Sequence, residues 1–434
     1  MGQVYHKSNR SAKQKSGNIL ARGINDYIIE KRTCVHGSAE ALNVTAQQHE
    51  SGATQTRELP KRYTIYEPML LLGPNFSTQT PAWEALYSGL TTDEKHLLFS
   101  TIAKAFRNAG HKITHIAVNA PIQLSLDNDD ANENVMRSPI NLRPLYGDFG
   151  PDSLLHSHNS QPTQADFDAA FWVETLQPSG STQVWAPRWT MFSRGNVSEK
   201  ARVLGLAQWN PSPFPGLSVN ELEHSIETVD VVDFYVGIGY FAFPYLKRNV
   251  RRLFGWEING WSVEGLRKGC ERNGVGCEVV RVPDNANELE QRSVVEHVID
   301  VLRKQPDVSC IAFWGDNLFA ASILSQVSAA LKGDTPSLKV RHCNLGLLPT
   351  SRESWAGAMK VIDVVQGGWL HVHENAEIVG VEQKKQYVVD ALAKLVRQEK
   401  GRSWQVWCEH TEMVKTYAPG VGHFVFDVRL WPAK

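Results

Sequence analysis

The chain changes its hydrophobic rhythm along its length. Residues 1–58 are polar and lack sustained periodicity, and they read as a disordered arm with basic spots at Lys7, Arg10, Lys13 and Lys15. Order is expected from Arg62-Tyr63-Thr64-Ile65-Tyr66 onward. A helix is expected over 92–109, with Leu97, Leu98, Ile102 and Phe106 on one face and Gly110 as its stop. A strand follows at 113–118, and then the polar loop Asp127-Asn128-Asp129-Asp130. The polar stretch 151–164 reads as a linker. Beyond it, Phe171-Trp172-Val173 and Val184-Trp185 look like strands, and 197–206 like a short helix.

From residue 231 the pattern becomes an alternation. Strands are expected at 231–236, 253–257, 279–282, 310–314, 338–343 and 369–373. Helices are expected from about 240 and over 262–273, 286–303, 319–331 and 383–397. In the helix over 286–303, Leu289, Val294, Val298, Val301 and Leu302 form the apolar side. Two strands, 404–409 and 424–430, close the chain with no helix between them. Alternating strands and helices predict an α/β fold with a mainly parallel sheet covered on both faces. The final pair predicts an antiparallel edge.

A length of 434 residues gives two or three domains. The net charge is −1, so no global field attracts the chain to nucleic acid or to a membrane surface, and such binding needs a local patch. No apolar run has the length of a membrane span, and no signal-peptide core is visible at the start. The six cysteines lack C-x-x-C spacing, which points to reduced thiols in the cytoplasm rather than to disulfides or zinc. His371 and His373 share one face of a strand but lack further ligands at convincing spacing, so no metal is expected.

The richest stretch is Val231-Val232-Asp233-Phe234-Tyr235-Val236-Gly237-Ile238-Gly239-Tyr240-Phe241. A β-branched run ends in an acid, and two glycines let the backbone turn sharply beneath a ligand. Gly237-x-Gly239-x-x-Ala242 with Glu257 about 20 residues on fits a dinucleotide site. Asp233, four residues before Gly237, equally fits S-adenosylmethionine (SAM), whose sulfonium and ammonium favour nearby carboxylates. A glycine turn of no special function is the third reading. Glu257, at the tip of the next strand, suits ribose hydroxyls in either cofactor fold.

Further polar groups fall at strand tips. Asp284-Asn285 and Asp316-Asn317 each follow a strand, and Asp316-Asn317 follows the better one, which makes the segment before it an insertion. Asn344-Leu345-Gly346-Leu347-Leu348-Pro349 places an amide and a rigid proline after strand 338–343. Arg188, Arg194, Lys200 and Arg202 surround Met191-Phe192-Ser193-Arg194-Gly195-Asn196 and suit a phosphate or a carboxylate. Lys247-Arg248-Asn249-Val250-Arg251-Arg252 and Arg267-Lys268 with Arg272 suit either an RNA backbone or a solvated face.

Together these segments resemble the tRNA wybutosine-synthesising protein 2 family, relatives of the tRNA guanosine-37 N1-methyltransferases. Val232 to Phe241 resembles that family's SAM motif. Gly255-Trp256-Glu257-Ile258-Asn259, Trp261-Ser262-Val263-Glu264-Gly265-Leu266-Arg267, Gly315-Asp316-Asn317 and Asn344 to Ser351 resemble its fungal branch. Gln183-Val184-Trp185-Ala186-Pro187-Arg188, Met191 to Asn196 and Val414-Lys415-Thr416-Tyr417-Ala418-Pro419 complete the order, over roughly residues 62–430. Gly260 stands where fungal relatives usually have proline, and Val236 where alanine is common. The stretch 276–309 is long, which leaves open which Asp-Asn pair meets adenine.

The resemblance implies a Rossmann-like SAM-dependent transferase domain over 166–434, with 276–309 as an insertion. It also implies a smaller α+β domain of tRNA-binding type over 59–165. It implies transfer of the 3-amino-3-carboxypropyl group of SAM to C7 of 4-demethylwyosine at position 37 of phenylalanine tRNA, releasing 5′-methylthioadenosine. Methylation of guanosine 37 is the alternative on the same fold. Asp233, Gly237, Gly239 and Glu257 are the expected SAM pocket, with Asp316 and Asn317 near the adenine. Arg188, Ser193, Asn196 and Asn344 are expected at the amino acid end of SAM or at the base. A monomer without metal or membrane attachment is expected; no general base is evident.

Overall fold

The structure is a computed structural model describing residues 17–36, 59–119, 142–150, 161–192, 195–218, 221, 225–331, 337–401 and 403–433. The chain forms two compact units, residues 1–133 with 139–150, and residues 134–138 with 151–434. Among the described residues, Gly150 groups with the first unit and Gln161 onward with the second; most of the polar stretch 151–164 lies outside the described residues.

The first unit opens with α1 (Ile19–His36), then β1 (Tyr63–Tyr66), β2 (Met69–Leu72), α2 (Pro81–Ser88), α3 (Thr92–Asn108), β3 (His115–Asn119) and β4 (Leu142–Tyr146). Its sheet runs β1-β2-β3-β4, with only the β2/β3 pair parallel. The expectation of a disordered arm over 1–58 fails at α1. Leu20, Ile24 and Tyr27 repeat at helical spacing and are buried, and Asn18 caps the helix by accepting from the Ala21 N–H at 3.1 Å. A Cβ on Gly23 would stand 3.0 Å from Ile102 Cα, so that glycine lets α1 lie directly on α3. Thr91 and Glu94 form a capping box at the start of α3. Leu98, Ile102 and Phe106 are buried as expected, but Leu97 lies one position round the helix and is 40% exposed.

The second unit contains α4 (Gln164–Ala169), β5 (Val173–Leu176), β6 (Thr182–Trp185), α5 (Val197–Leu204), β7 (Asp230–Asp233), α6 (Ala242–Lys247), β8 (Arg252–Glu257) and α7 (Gly260–Arg272). It continues with β9 (Gly276–Arg281), α8 (Glu288–Lys304), β10 (Val308–Trp314), α9 (Ala320–Ala330), β11 (Val340–Leu345), α10 (Trp355–Val361), β12 (Gly368–Glu377), α11 (Val381–Glu399), β13 (Trp404–Ala418) and β14 (Val421–Pro432). Eight strands make one sheet in the order β13-β14-β12-β11-β7-β8-β10-β9. The strands β12, β11, β7, β8, β10 and β9 run parallel; β14 runs against them, and β13, antiparallel to β14, closes the edge in their direction. A second sheet is the hairpin of β5 and β6.

Both faces of the large sheet are covered, as a parallel sheet requires. Val298, Ile323, Trp355 and Leu392 pack on one face against Phe254, Ile311 and Val340. Val203, Phe243, Tyr245 and Leu266 pack on the other against Val231, Leu253 and Ala312. The helix over 286–303 keeps Val294, Val298, Val301 and Leu302 inside, but Leu289, in its first turn, is 74% exposed. Because β10 pairs directly with β8, the 276–309 segment adds β9 and α8 at the sheet's edge without interrupting its centre.

Candidate functional site

The sheet order reverses at β7. From β7 the chain moves to β8 on one side, and later to β11 on the other. A crevice opens at the carboxyl ends of such strands, which is where open α/β sheets bind ligands. Three polar residues converge there. Asp233 ends β7, Glu257 ends β8, and Asn344 on β11 is the cross-strand partner of Asp233.

Asp233 is buried, and both carboxylate oxygens are engaged. Oδ1 accepts from the Tyr235 N–H and Oδ2 from Asn344 Nδ2, each at 3.1 Å. The amide of Phe234 also donates to the Asn344 carbonyl at 3.0 Å. The first bond fixes the turn after the strand, and the other two tie it to β11. Burial pushes the Asp233 carboxyl up to about 7, against the lowering effect of those hydrogen bonds.

The turn then needs its glycines. Gly237 and Gly239 have φ of +55° and +89°, in the region that disfavours side chains. A Cβ on Gly239 would stand 2.5 Å from Phe243 Cε2 and 2.9 Å from Leu266 Cδ1, so this glycine lets the turn pack on α6 and α7. A Cβ on Gly237 would lie 3.9 Å from Glu257 Oε2, so the turn and the second acid face one space. Glu257 is half-buried. Its Oε1 accepts from the Asn259 N–H at 2.8 Å, and burial pushes it up to about 7.

Asp316 and Asn317 follow β10, the neighbour of β8. Gly315 N–H donates to the Glu257 carbonyl at 3.0 Å, and Asn317 Nδ2 donates to the Phe234 carbonyl at 2.7 Å. The pair is therefore part of the crevice. Asp284 and Asn285 are exposed and lie after β9, one strand further out. Tyr235, directly after the acid-bearing stretch, packs against the apolar core beside Asn317 and Ser354.

The upstream segment is anchored over the same turn. Asn259 Nδ2 donates to the Trp189 carbonyl at 3.0 Å, and Trp189 stacks on Trp261 at 4.2 Å between ring centres. Tyr240 Oη donates to the Met191 carbonyl at 2.6 Å. Arg188 is buried beside Trp189. Asn196 has a φ of 65° and begins α5; its Oδ1 is buried without a hydrogen-bond partner among the described residues. Ser193 lies outside the described residues, as does Arg194. Lys200 is buried over the Tyr240 ring and donates to Gln177 Oε1 at 3.2 Å; burial lowers it to about 8.

Arg202, grouped with these cations by sequence, has another task. It is fully buried and pairs with Glu199 at 2.6 Å and Asp427 at 2.7 Å. Asp427 accepts from His371 Nδ1 at 2.6 Å, and His371 meets His342 at 2.9 Å. The Arg202 and His371 contacts hold Asp427 well below the usual carboxylate range. His373 pairs with His423 at 2.9 Å. Glu199 is three residues from Arg202, but Asp427 is 225 residues away, which is why spacing alone missed this network. The basic clusters are also occupied. Arg248 donates to the Val203 and Leu217 carbonyls, Arg251 pairs with Asp230, Arg267 with Glu264 and Arg272 with Glu174.

The loop after Asn344 is braced by a residue the sequence reading missed. Glu374 Oε1 accepts from Thr350 Oγ1 at 2.6 Å and from the Ser351 N–H at 3.2 Å, and Lys384 pairs with the other oxygen at 2.8 Å. A buried acid in the middle of β12 is the only signal for it in the pattern.

This sheet order, with an antiparallel pair closing an otherwise parallel sheet, is that of the Rossmann-like SAM-dependent transferases. No protein-family model matches the chain. The tRNA wybutosine-synthesizing protein 2 of Schizosaccharomyces pombe is 33% identical over 409 residues, spanning 93% of this chain and 82% of that protein. The protein of the same name from Saccharomyces cerevisiae is 32% identical over 402 residues, spanning 85% and 74%. Among solved structures, Pyrococcus horikoshii TYW2 in complex with MeSAdo aligns over 90% of this chain and 98% of its own, at 14% identity and a TM-score of 0.49. The chain belongs to the tRNA wybutosine-synthesizing protein 2 family.

Proposed function

We propose that this chain transfers the 3-amino-3-carboxypropyl group of SAM to C7 of 4-demethylwyosine at position 37 of phenylalanine tRNA, releasing 5′-methylthioadenosine. Membership of the family, with both the two-glycine turn and the Asn344–Pro349 loop present and hydrogen-bonded to each other through Asp233, is the observation that carries this reading.

The residues fit the donor. SAM supplies a sulfonium that activates three attached carbons toward a nucleophile. Glu257, half-open at a strand tip 3.9 Å from the Gly237 Cβ position, suits the ribose hydroxyls. Asp316 and Asn317 suit the adenine edge. Arg188 and Asn196 Oδ1, without a partner among the described residues, suit the carboxylate and ammonium of the amino acid end. Holding that end fixes which carbon faces the base, and such positioning supplies most of the rate in a displacement of this kind. Asn344 and the braced loop behind it suit the base. Ser193 remains a candidate on the sequence alone.

No helix among the described residues is long and apolar enough to cross a membrane. A cytoplasmic monomer whose transfer step uses no metal ion completes the proposal. Chromatography of the nucleoside released from SAM in the presence of undermodified tRNA tests it. Methylthioadenosine is expected; S-adenosylhomocysteine would assign methyl transfer instead.

A further inference from the structure

Three cysteines outside the site converge. Cys270 lies on α7, Cys277 on β9 and Cys310 on β10, and their sulfurs all lie within 4.8 Å of one another. Cys310 and Cys277 are cross-strand partners, and Cys270 reaches them from the helix above. Cys270 and Cys310 are buried, and Cys277 is partly open to solvent. None of the three is in a disulfide.

We propose that Cys270, Cys277 and Cys310 form a three-thiolate site for a thiophilic d10 metal ion, Zn2+ or Cu+. A metal–sulfur bond of about 2.3 Å requires sulfurs about 3.8–4.0 Å apart in tetrahedral or trigonal geometry. The three sulfurs, within 4.8 Å of one another, would close on that spacing as the ion binds. Cu+ accepts three thiolates alone, whereas Zn2+ takes a water at the open side of Cys277 as its fourth ligand. A disulfide uses two of the sulfurs and leaves the third without a role; a metal uses all three. The charges nearest the cluster are Arg267, itself paired with Glu264, and Glu278 beside Cys277. The spacing along the sequence hid the site, because its ligands come from a helix and two strands rather than from a C-x-x-C loop.

The ion would staple α7 to the β9–β10 edge of the sheet. It would add stability at a distance from Glu257 without taking part in transfer.

The reduced full-length protein is titrated anaerobically with Zn2+, with Cd2+ as the spectroscopic substitute, and separately with Cu+ against a chelator. The expected result is one ion per chain, a sulfur-to-Cd2+ charge-transfer band, and a raised thermal midpoint. Cys277→Ser, at the accessible position, is expected to lose the band and at least tenfold in affinity while still binding SAM. Preference for Cu+ over Zn2+ would assign the trigonal form, and the reverse the water-completed form. Absence of the band at stoichiometric metal, or its persistence in Cys277→Ser and Cys270→Ser, would overturn the site. Mass spectrometry showing the loss of two hydrogen atoms on mild peroxide treatment, the two electrons passing to peroxide as a disulfide forms, with no metal bound by the reduced chain, would assign a redox pair instead.

Discussion

Asn344 Nδ2 donates to Asp233 Oδ2 at 3.1 Å across the pair of parallel strands at which the sheet order reverses. The bond joins the two segments of the chain with the strongest chemical signature. It also holds a buried carboxyl that would otherwise lack a second partner. Removing the amide is therefore expected to cost more than a surface hydrogen bond. Asn344→Ala should lower kcat/KM about tenfold to a hundredfold, the range for a buried acceptor left unpaired. Asn344→Asp should be worse near neutral pH, because two facing carboxyls repel, and should recover partly on acidification. Steady-state kinetics at several pH values checks both.

The pH dependence of SAM binding follows from Glu257. Burial pushes it up to about 7, and only the ionised form accepts two ribose hydroxyls. Affinity should rise as pH rises through 7 and level off above. The sign for stability is opposite. An acid whose folded pKa lies above its unfolded value stabilises the fold below about pH 4.5 and loses that contribution as pH rises through 7. Isothermal titration of SAM from pH 6 to 8.5 should show the rise, and Glu257→Gln should flatten it. A flat wild-type profile would remove Glu257 from the site.

The two glycines of the turn should separate on substitution. Gly239→Ala meets Phe243 at 2.5 Å and Leu266 at 2.9 Å, with φ at +89°, so it should destabilise the fold by about 1–3 kcal/mol. Gly237→Ala meets its nearest neighbour, Tyr240, at 3.2 Å and points toward Glu257. It should lose more SAM affinity than stability. Urea denaturation beside SAM titration distinguishes the two effects.

Arg202 pairs with two buried acids, Glu199, which burial pushes up to about 7, and Asp427, in a space closed to water. Arg202→Met leaves both without a cation and should cost about 3–5 kcal/mol. The loss should appear as a lower urea midpoint, with SAM affinity in the surviving folded fraction unchanged.

Much of the second unit was legible before its structure, because apolar runs bounded by glycines and polar tips are long and regular there. Asp233, Glu257, Asp316 and Asn344 each sit at or just after the end of a parallel strand, and that placement alone carried them to one crevice. The misses have a common cause. Leu20, Ile24 and Tyr27 make a helical stripe, but polar residues on both sides diluted it. Leu97 and Leu289 were assigned by nearness to an apolar face, and each lies just outside it. Asp427 and Glu374 are buried acids in strands, and their partners Arg202 and Thr350 come from elsewhere in the chain. Nothing in local spacing reports such contacts.

The group that arrives on base 37 separates aminocarboxypropyl transfer from methyl transfer. Undermodified tRNA carrying 4-demethylwyosine is incubated with the protein and SAM bearing heavy carbon in the carboxypropyl chain and deuterium on the methyl group. Base 37 is then released and weighed by mass spectrometry. Heavy carbon on the base and deuterium in the released methylthioadenosine are expected. Deuterium on the base, or a base of unchanged mass, would contradict it.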